Sequence, residues 1–335
     1  MVEDVDFVIT YIDGNDTEWQ KEKCKYLSGS LADNHPNRYR NWNNIQYLFR
    51  GIEAFAPWVR NVYFITYGHL PKWLNDKHPK LCIIRHEDYI PQEWLPTFNS
   101  HCIELNFFRI PGLSEQFVYF NDDTFITKNV QPKDFFIKGK PCDSAVLFVH
   151  RLTLLNGIVS FLPPLMSTAV INKYFDTRHV ITQNPFNWFN LKYGKYNLWT
   201  LSLLAYKKFP GFYPFHLPSS YLKSTFETVW ENETQLCTQT SMHKFRECVD
   251  ISPWVMNYWQ FATGNFVPRN VSFGKCFHLD SLKMCKIAAN AVRRQKYKTV
   301  CLNDTVENEQ DFPSISEEIN DALQSILPQK SEFEK

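Results

Sequence analysis

The residues best suited to chemistry in this sequence are two adjacent carboxylates that follow a run of strand-forming residues. Phe117 to Phe120 are aromatic or β-branched, and Asn121, Asp122 and Asp123 come directly after them. A buried strand that ends in this way presents carboxylates at the edge of a sheet, where open α/β sheets bind ligands. Adjacent carboxylates can hold a hard cation such as Mg²⁺, which can bridge the phosphates of a nucleotide. A polar turn uses the same residue types, so both interpretations stay open for this stretch taken alone.

A second acidic strand end lies near the amino terminus. Residues 5–12 predict a strand, and Asp13, Gly14 and Asp16 follow it. Because Gly14 permits a tight turn, we expect Asp13 and Asp16 at the same kind of sheet edge as Asp122. Two acidic strand ends are harder to explain as turns than one.

The elements between these two strand ends alternate as in a parallel sheet with helical crossovers. The pattern predicts a helix from Asn44 to Phe55, a strand at 61–66, a helix around Trp73 and Leu74, and a strand at 81–86. This alternation predicts an α/β fold with a Rossmann-like core and a mostly parallel sheet.

An apolar helix from His101 to Arg109 is preceded by polar residues that can cap it. Asn99 or Ser100 is its predicted N-cap. A helix N-terminus at the sheet edge favours an anion such as phosphate, so Asn99 and Ser100 are candidate substrate-binding residues. By themselves these two residues favour a plain cap.

The second half of the chain predicts an additional helical lobe and a few polar sites. Residues 165–205 alternate aromatic and Asn-rich stretches, which is typical of irregular helices. His216 stands two residues before Pro218, where a lone histidine is more often structural than catalytic. Residues 299–305 predict a strand ending in Asn-Asp. Ser314 to Leu327 predict an amphipathic helix that docks on the domain, with self-association or membrane-surface contact as the alternatives.

Composition and charge exclude several classes of protein. The 335 residues are 44 % hydrophobic and 21 % charged, which is the balance of an ordered globular chain. A net charge of +1 gives no electrostatic footprint for nucleic acid. Nine cysteines without a CxxC pair are expected to be reduced thiols of a cytoplasmic protein, and residues 1–6 are too acidic for a signal peptide. The apolar window from Val146 to Met166 is interrupted by polar residues and Pro163-Pro164, so no membrane span is predicted.

Several stretches together resemble the Stealth family. The first two signature regions of that family are matched by Val5–Trp19, Ala56–Asn61, Pro71–Leu74, Leu95–Ser100 and Ile110–Asp123, the third by His216-x-Pro218 and Lys244–Arg246, and the fourth by Thr299–Thr305. The family comprises bacterial capsule-polysaccharide phosphotransferases and is related to the animal GlcNAc-1-phosphotransferase that tags lysosomal enzymes. Its members transfer a sugar-1-phosphate from a nucleotide-diphosphate sugar to an acceptor hydroxyl.

The resemblance implies a catalytic site built from all of these regions. His216 would take the proton from the acceptor hydroxyl, and Arg246 would hold phosphate oxygens with its planar fork. Asp122 and Asp123 would be catalytic and would hold Mg²⁺ or Mn²⁺, with Asp304 as a further metal ligand. The expected substrate-binding residues are Asp13, Asp16, Asn99, Ser100, Asn121 and Lys223.

The resemblance also implies a reaction and its partners. We expect transfer of hexose- or N-acetylhexosamine-1-phosphate from a UDP-sugar, by default UDP-GlcNAc, to a growing oligo- or polysaccharide, with release of UMP. The expected location is the cytoplasm, and contact with the inner face of the membrane, a biosynthetic complex or a second copy stays open. A metal-dependent glycosyltransferase that releases UDP and a non-catalytic glycan-binding protein are the alternatives.

The same motifs divide the chain into three expected parts. Residues 1–145 are the nucleotide-sugar-binding α/β part, and 146–311 are the remainder of the catalytic domain with the helical lobe. Residues 312–335 are the C-terminal amphipathic helix and tail.

Overall fold

A computed structural model describes residues 4–27, 39–150 and 158–335 of the chain. The apolar window from Val146 to Met166 falls partly outside these residues, and so does half of the acidic start at residues 1–6. The strands are β1 (Val5–Tyr11), β2 (Val62–Thr66), β3 (Leu81–Arg85), β4 (Gln116–Phe120), β5 (Thr124–Ile126), β6 (Phe136–Ile137), β7 (Lys140–Asp143), β8 (Ser219–Leu222), β9 (Val267–Pro268), β10 (Gly274–His278) and β11 (Thr299–Asn303).

The helices fall into three groups along the chain. Those of the first part are α1 (Thr17–Tyr26), α2 (Ile45–Phe55), α3 (Ser100–Leu105) and α4 (Pro132–Phe135). Those of the helical lobe are α5 (Ile158–Tyr174), α6 (Thr177–Gln183), α7 (Pro185–Trp188) and α8 (Tyr196–Ser202). The remaining helices are α9 (Lys223–Asn232), α10 (Thr234–Met242), α11 (Trp254–Ala262), α12 (Leu282–Arg293) and α13 (Phe312–Ile326). The predicted helical lobe is therefore present.

The central sheet has the strand order β3-β2-β1-β4-β8. The first four strands are parallel, and β8 runs antiparallel to β4. Strands β2 and β4 are buried along their whole length, which explains why their sequences are continuous apolar runs rather than alternating ones. The predicted Rossmann-like core with a mostly parallel sheet is confirmed.

Strand order reverses between β1 and β4. The chain builds β1, β2 and β3 outward in one direction and then places β4 on the other side of β1. In open α/β sheets the crevice outside the carboxyl ends of two such strands is the usual ligand site. The acidic turns after β1 and β4 therefore flank this crevice.

Two hydrophobic cores cover the two faces of the sheet. Along β1, Phe7 and Ile9 face one core and Val8 faces the other. Helix α13 belongs to the first core, where Ile315 and Ile319 are fully buried beside α12. The expected docking of the C-terminal helix is confirmed, and its apolar face is covered.

The prediction of a helix around Trp73 and Leu74 is wrong. The segment between β2 and β3 consists of turns, and Leu74 forms a β-bridge with Glu334 of the chain's last residues. The Trp73 carbonyl accepts a hydrogen bond from the Lys335 amide at 2.8 Å. Backbone groups that a helix would have paired are thus paired by the C-terminal tail, which no local pattern reveals.

A second, three-stranded sheet begins immediately after the Asp122-Asp123 pair. In it β11 is parallel to β10 and antiparallel to β5. Because β8 completes the central sheet and β11 pairs with β5, the expected parts 1–145 and 146–311 build one structural unit. Within the described ranges, no helix is both long and apolar enough to cross a membrane.

Candidate active site

A cavity of about 930 Å³ lies outside the carboxyl ends of β1 and β4. Its lining includes six of the residues predicted from the sequence, namely Asn121, Asp122, Asp123, His216, Arg246 and Asp304. It also includes residues that the sequence did not indicate, among them Arg40, His101, Glu104 and Tyr119. The crevice at the sheet's switch point therefore collects acidic, basic and aromatic groups from distant parts of the chain.

The acidic turn presents its two carboxylates in different directions. The Thr124 amide and hydroxyl both donate to the Asn121 carbonyl, at 3.0 and 2.7 Å, and close the turn. Asp122 is exposed to the cavity. Asp123 turns toward Cys301, whose thiol donates to Asp123 Oδ2 at 3.2 Å, while the buried Asp123 Oδ1 has no hydrogen-bond partner among the described residues. Asp122 is therefore the carboxylate that a ligand in the cavity meets first.

His216 is held at the cavity by the same turn. Its Nε2 lies 3.1 Å from Asn121 Nδ2, and Asn121 Oδ1 accepts a hydrogen bond from the Tyr119 hydroxyl at 2.6 Å. The backbone of His216 has φ +46°, a conformation that costs a non-glycine residue roughly 1–3 kcal/mol and persists only where the surroundings impose it. Burial alone would lower the pKa of His216, but the Asp123 charge and the contact with Cys276 raise that pKa to about 9.

Two thiols lie behind His216. Cys276 and Cys301 face each other across β10 and β11 with their Sγ atoms 3.5 Å apart, and Cys301 Sγ lies 3.8 Å from His216 Nδ1. Contact with Cys301, together with His216, lowers the pKa of the Cys276 thiol to about 5 despite its burial. The donor atoms of His216, Cys276 and Cys301 lie within 4.8 Å of one another, a set that suits a soft ion such as Zn²⁺ better than Mg²⁺.

Arg246 is placed by the segment that precedes α3. The Phe98 amide donates to the Lys244 carbonyl at 2.8 Å, and the rings of Phe98 and Phe245 stack at 5.3 Å. Arg246 Nη2 donates a hydrogen bond to Ser100 Oγ. Ser100 therefore positions Arg246 and is not itself among the residues that line the cavity.

Asn99 lies behind this contact rather than in the cavity. Its side chain is fully buried and caps α3, with Oδ1 accepting from the His101 amide at 3.0 Å. Its Nδ2 donates to Asp250 Oδ2 at 2.9 Å, and His243 Nδ1 lies 2.6 Å from the other Asp250 oxygen. Hydrogen bonds from His101, the Glu247 amide and His243 outweigh burial and lower the pKa of Asp250. The prediction of Asn99 as a cap is confirmed, and the structure gives it no access to a ligand.

Glu104 is a cavity residue that the sequence did not identify. It lies on α3 and is buried, and burial raises its pKa while the nearby Arg246 charge opposes that rise. It is the one acidic residue within the apolar His101–Arg109 segment. A single carboxylate in an apolar helix is the sequence signal that could have identified Glu104 as a site residue.

The remaining predicted residues lie outside the cavity or are already paired. Asp13 Oδ1 accepts from Asn41 Nδ2 at 3.4 Å, and Asn41 lines the cavity in its place. Asp16 is the N-cap of α1 and accepts from the Trp19 amide at 2.7 Å. Asp304 lines the cavity, but Arg40 and Trp42 donate to its carboxylate at 3.0–3.2 Å, so it anchors Arg40 rather than offering open metal-binding oxygens.

The prediction of Lys223 as a substrate-binding residue is not supported by its position. Lys223 begins α9, and its amide donates to the Glu115 carbonyl just before β4. Since β8 runs antiparallel to β4, Lys223 lies beside the amino end of β4, whereas Asp122 follows the carboxyl end of that strand.

The carboxylates are suited to a divalent cation. Crowding by protein atoms, and then the charge of Asp123, raise the pKa of Asp122 to about 7 even though Asp122 opens to the cavity. The two neighbouring carboxylates repel each other when both are charged, and one buried oxygen of Asp123 has no hydrogen-bond partner within the described ranges, so a cation would stabilise the pair. The oxygen donors fit Mg²⁺ or Mn²⁺.

Comparison with known proteins identifies related chains. Two models of Stealth protein conserved regions match, region 2 at residues 38–143 and region 4 at residues 290–335. A capsular polysaccharide phosphotransferase, WcwK of Streptococcus pneumoniae, is 41 % identical over 339 residues, which cover 100 % of this chain and 99 % of that protein. An exopolysaccharide phosphotransferase, cps2G of Lactiplantibacillus plantarum, is 37 % identical over 341 residues, covering 99 % and 96 %. Among solved structures, apo WbbM, a bifunctional glycosyltransferase, aligns with 97 % of this chain and 51 % of its own; a TM-score of 0.41 at 12 % identity carries no argument.

Proposed function

The chain belongs to the Stealth family and is a phosphotransferase, and from that premise we propose that it transfers a sugar-1-phosphate from a UDP-sugar to a hydroxyl of a growing capsule or surface polysaccharide. The sugar is a hexose or N-acetylhexosamine, with UDP-GlcNAc as the default donor. The acceptor oxygen attacks the phosphorus that carries the sugar, and the bond from that phosphorus to the bridging oxygen breaks. The electron pair of that bond leaves with UMP, and a phosphodiester remains.

The observation that supports this proposal is the convergence of Asp122, His216 and Arg246 on one cavity. Phosphoryl transfer depends on positioning of the reactants and on stabilising the charge of the phosphate, and it requires little covalent chemistry from the protein. The cavity brings together three groups for these tasks: an exposed carboxylate for a cation, an imidazole for the acceptor proton and a guanidinium for the phosphate oxygens. It lies at the switch point where α/β sheets bind nucleotides.

Arg246 and His216 have separate roles in the proposed transfer. Arg246 holds two oxygens of the transferring phosphate, and its hydrogen bond to Ser100 fixes the guanidinium plane. His216 accepts the proton of the acceptor hydroxyl at Nε2, the nitrogen that faces Asn121. A base must be neutral, so the Asp123 charge that raises the pKa of His216 has to be offset during the reaction.

Asp122, with Asp123 beside it, would hold Mg²⁺ or Mn²⁺. When bound there, the ion would neutralise the charge of the diphosphate and offset the Asp123 charge beside His216. The fit rests on the oxygen donors, on the raised pKa of Asp122 and on the unpaired buried oxygen of Asp123.

The experiment that tests the proposal identifies the released nucleotide. Purified protein is mixed with Mg²⁺ or Mn²⁺, a panel of UDP-sugars and a capsule-type oligosaccharide, and the nucleotides are separated by chromatography. We expect UMP in equal amount to a product whose phosphodiester is seen by ³¹P NMR. Release of UDP would instead assign the chain to glycosyl transfer and contradict the proposal.

Two controls make this result specific. Without the oligosaccharide, UMP formation should fall to the rate of donor hydrolysis. Asp122→Asn should lose UMP formation, while Lys223→Gln, at the far end of the sheet, should keep it.

A further inference from the structure

One stretch of the helical lobe, residues 186–206, carries several apolar side chains that are exposed within the described part of the chain. The exposed fractions are 82 % for Phe186, 98 % for Leu191, 67 % for Leu198, 57 % for Leu201 and 53 % for Tyr206. Scattered exposed apolar residues are normal, but a dense group of them marks an interaction site. We call these five side chains the lobe patch.

The backbone that carries the lobe patch is held in place by buried side chains and hydrogen bonds. Trp188 and Tyr193 lie between its members in the sequence and are fully buried. The Tyr193 hydroxyl donates to the Asn187 carbonyl at 2.8 Å, and Asn197 exchanges two hydrogen bonds with the Asn190 backbone, at 2.8 and 3.1 Å. The apolar side chains therefore project outward although the segment that carries them is well anchored.

The stretch of sequence that carries the lobe patch has charged residues of one sign only. Residues 177–226 contain no Asp or Glu, although the whole chain has 36 basic and 35 acidic residues. The part of this stretch that holds the patch contributes five exposed cations: Arg178, Lys192, Lys195, Lys207 and Lys208. Within the described residues none of the five pairs with a carboxylate, and Asp176, just before them, caps α6.

This combination selects one kind of partner. Apolar side chains that project among cations match the amphipathic surface of proteins that lie on anionic bilayers. A second copy docking through the same patch would bring two sets of five cations face to face, which is repulsive. We propose that the lobe patch binds an anionic phospholipid membrane, with its apolar side chains in the headgroup region and its cations on the phosphates.

The lobe patch also connects to the cavity. Trp199, on α8, packs on Tyr213 at 5.7 Å, and Tyr196 packs on Phe215 at the same distance. Phe215 directly precedes His216. Membrane binding at the patch would thus turn the His216 side of the cavity toward the bilayer, so that in the proposed reaction the acceptor would approach from the membrane side. This last step rests on the proposed function, whereas the binding itself does not.

Vesicle sedimentation of the full chain tests the proposal. We expect the protein to sediment with vesicles of phosphatidylcholine mixed with phosphatidylglycerol, and much less with phosphatidylcholine alone. Lys195→Gln with Lys207→Gln should weaken binding to the anionic vesicles roughly 30-fold, since each lysine near such a surface gives about a fivefold gain. Leu191→Ser with Leu198→Ser should weaken it by at least about tenfold.

Matched control variants come from α12, which also exposes leucine, isoleucine and lysine. Lys283→Gln with Lys286→Gln, and Leu282→Ser with Ile287→Ser, remove the same residue types from another exposed surface. They should sediment like the unchanged protein. Equal loss in lobe and α12 variants, or no preference for anionic vesicles, would overturn the proposal.

Two further readouts separate this proposal from its competitors. Analytical ultracentrifugation that shows an oligomer lost only in the lobe variants would replace the membrane with a second copy. UMP release with a water-soluble acceptor should be unchanged in the lobe variants, because none of the substituted residues lines the cavity. Failure of the proposed reaction would leave vesicle binding intact, so the two proposals fail independently.

Discussion

The side chains at the sheet-edge cavity are held by hydrogen bonds within the protein, whereas apolar side chains of the helical lobe are exposed to solvent. At the sheet edge, Asn121 is bonded to Tyr119 and faces His216, and Ser100 accepts from Arg246, so the protein itself orients the groups that we assign to catalysis. On the lobe, Leu191 and Phe186 project into solvent. The first region is organised for chemistry in an enclosed space, and the second is organised for contact with something outside the chain.

This difference makes the two regions separable by mutation. Substitutions at the sheet edge should change turnover and leave the contacts of the lobe unaffected, and substitutions on the lobe should do the reverse. The activity predictions that follow change the sheet edge and leave the lobe patch intact, and one stability prediction concerns a buried histidine outside both regions.

The largest effect is expected from Asp122→Asn. The variant keeps the shape of the side chain but removes the charge that faces the cavity, and kcat/KM should fall about 10²- to 10³-fold. The Mg²⁺ concentration needed for half-maximal rate should rise at least about tenfold. Both are measured by UMP release across a Mg²⁺ titration.

A second acidic substitution serves as the control for Asp122. Asp16→Asn removes a carboxylate from the N-cap of α1, outside the cavity, and should stay within about twofold in rate, since asparagine also caps helices. If Asp122→Asn retained near-normal turnover at low Mg²⁺, the metal-binding role of the acidic turn would be wrong.

The next effect concerns the pH dependence of stability in the core. Burial lowers the pKa of His86 to about 4, below the value of about 6.5 expected in the unfolded chain. Between these values the unfolded chain binds more protons, so stability is full above pH 6.5 and falls as the pH drops toward 4, by roughly 3 kcal/mol. Urea unfolding at several pH values measures this loss.

The control for His86 comes from the lobe. His86→Gln should flatten the fall in unfolding free energy between pH 6.5 and 4, whereas His179→Gln, at an exposed position, should leave the curve unchanged. If the unfolding free energy fell equally in the unchanged protein and in both variants, groups other than His86 would cause the acid sensitivity.

The sequence located the sheet edge because the information there is local. Strand residues followed by acidic residues predict a carboxylate at the carboxyl end of a strand, and the structure places Asp122 there. The family resemblance added His216 and Arg246, which composition alone would not have selected. Both line the same cavity.

What the sequence could not supply depends on pairing between distant strands. Cys301 reaches His216 and Asp123 only because β11 pairs with β5. The Asp304 carboxylate is engaged because Arg40, far away in the sequence, forms an ion pair with it. Lys223 follows His216 by only seven residues, yet β8 carries it about 13 Å along the sheet, at about 3.3 Å per residue over its four residues.

A further activity prediction concerns the guanidinium of Arg246. Arg246→Lys keeps the charge but loses the planar fork, so kcat/KM should fall about 100-fold. The variant should sediment with anionic vesicles as the unchanged protein does. A fall of only a few-fold would show that charge alone suffices at this position and that the two-oxygen contact is absent.

The smallest effect is expected from Ser100→Ala, and it tests whether the residue acts through Arg246. Loss of the hydrogen bond to Arg246 should lower kcat/KM about tenfold. If Ser100 only positions the guanidinium, its removal should matter little once Arg246 is already lysine, so the double variant should be close to Arg246→Lys alone. UMP release in the two single variants and the double variant completes this cycle. Additive losses would mean that Ser100 meets the substrate directly, although the structure places it behind Arg246 and outside the lining of the cavity.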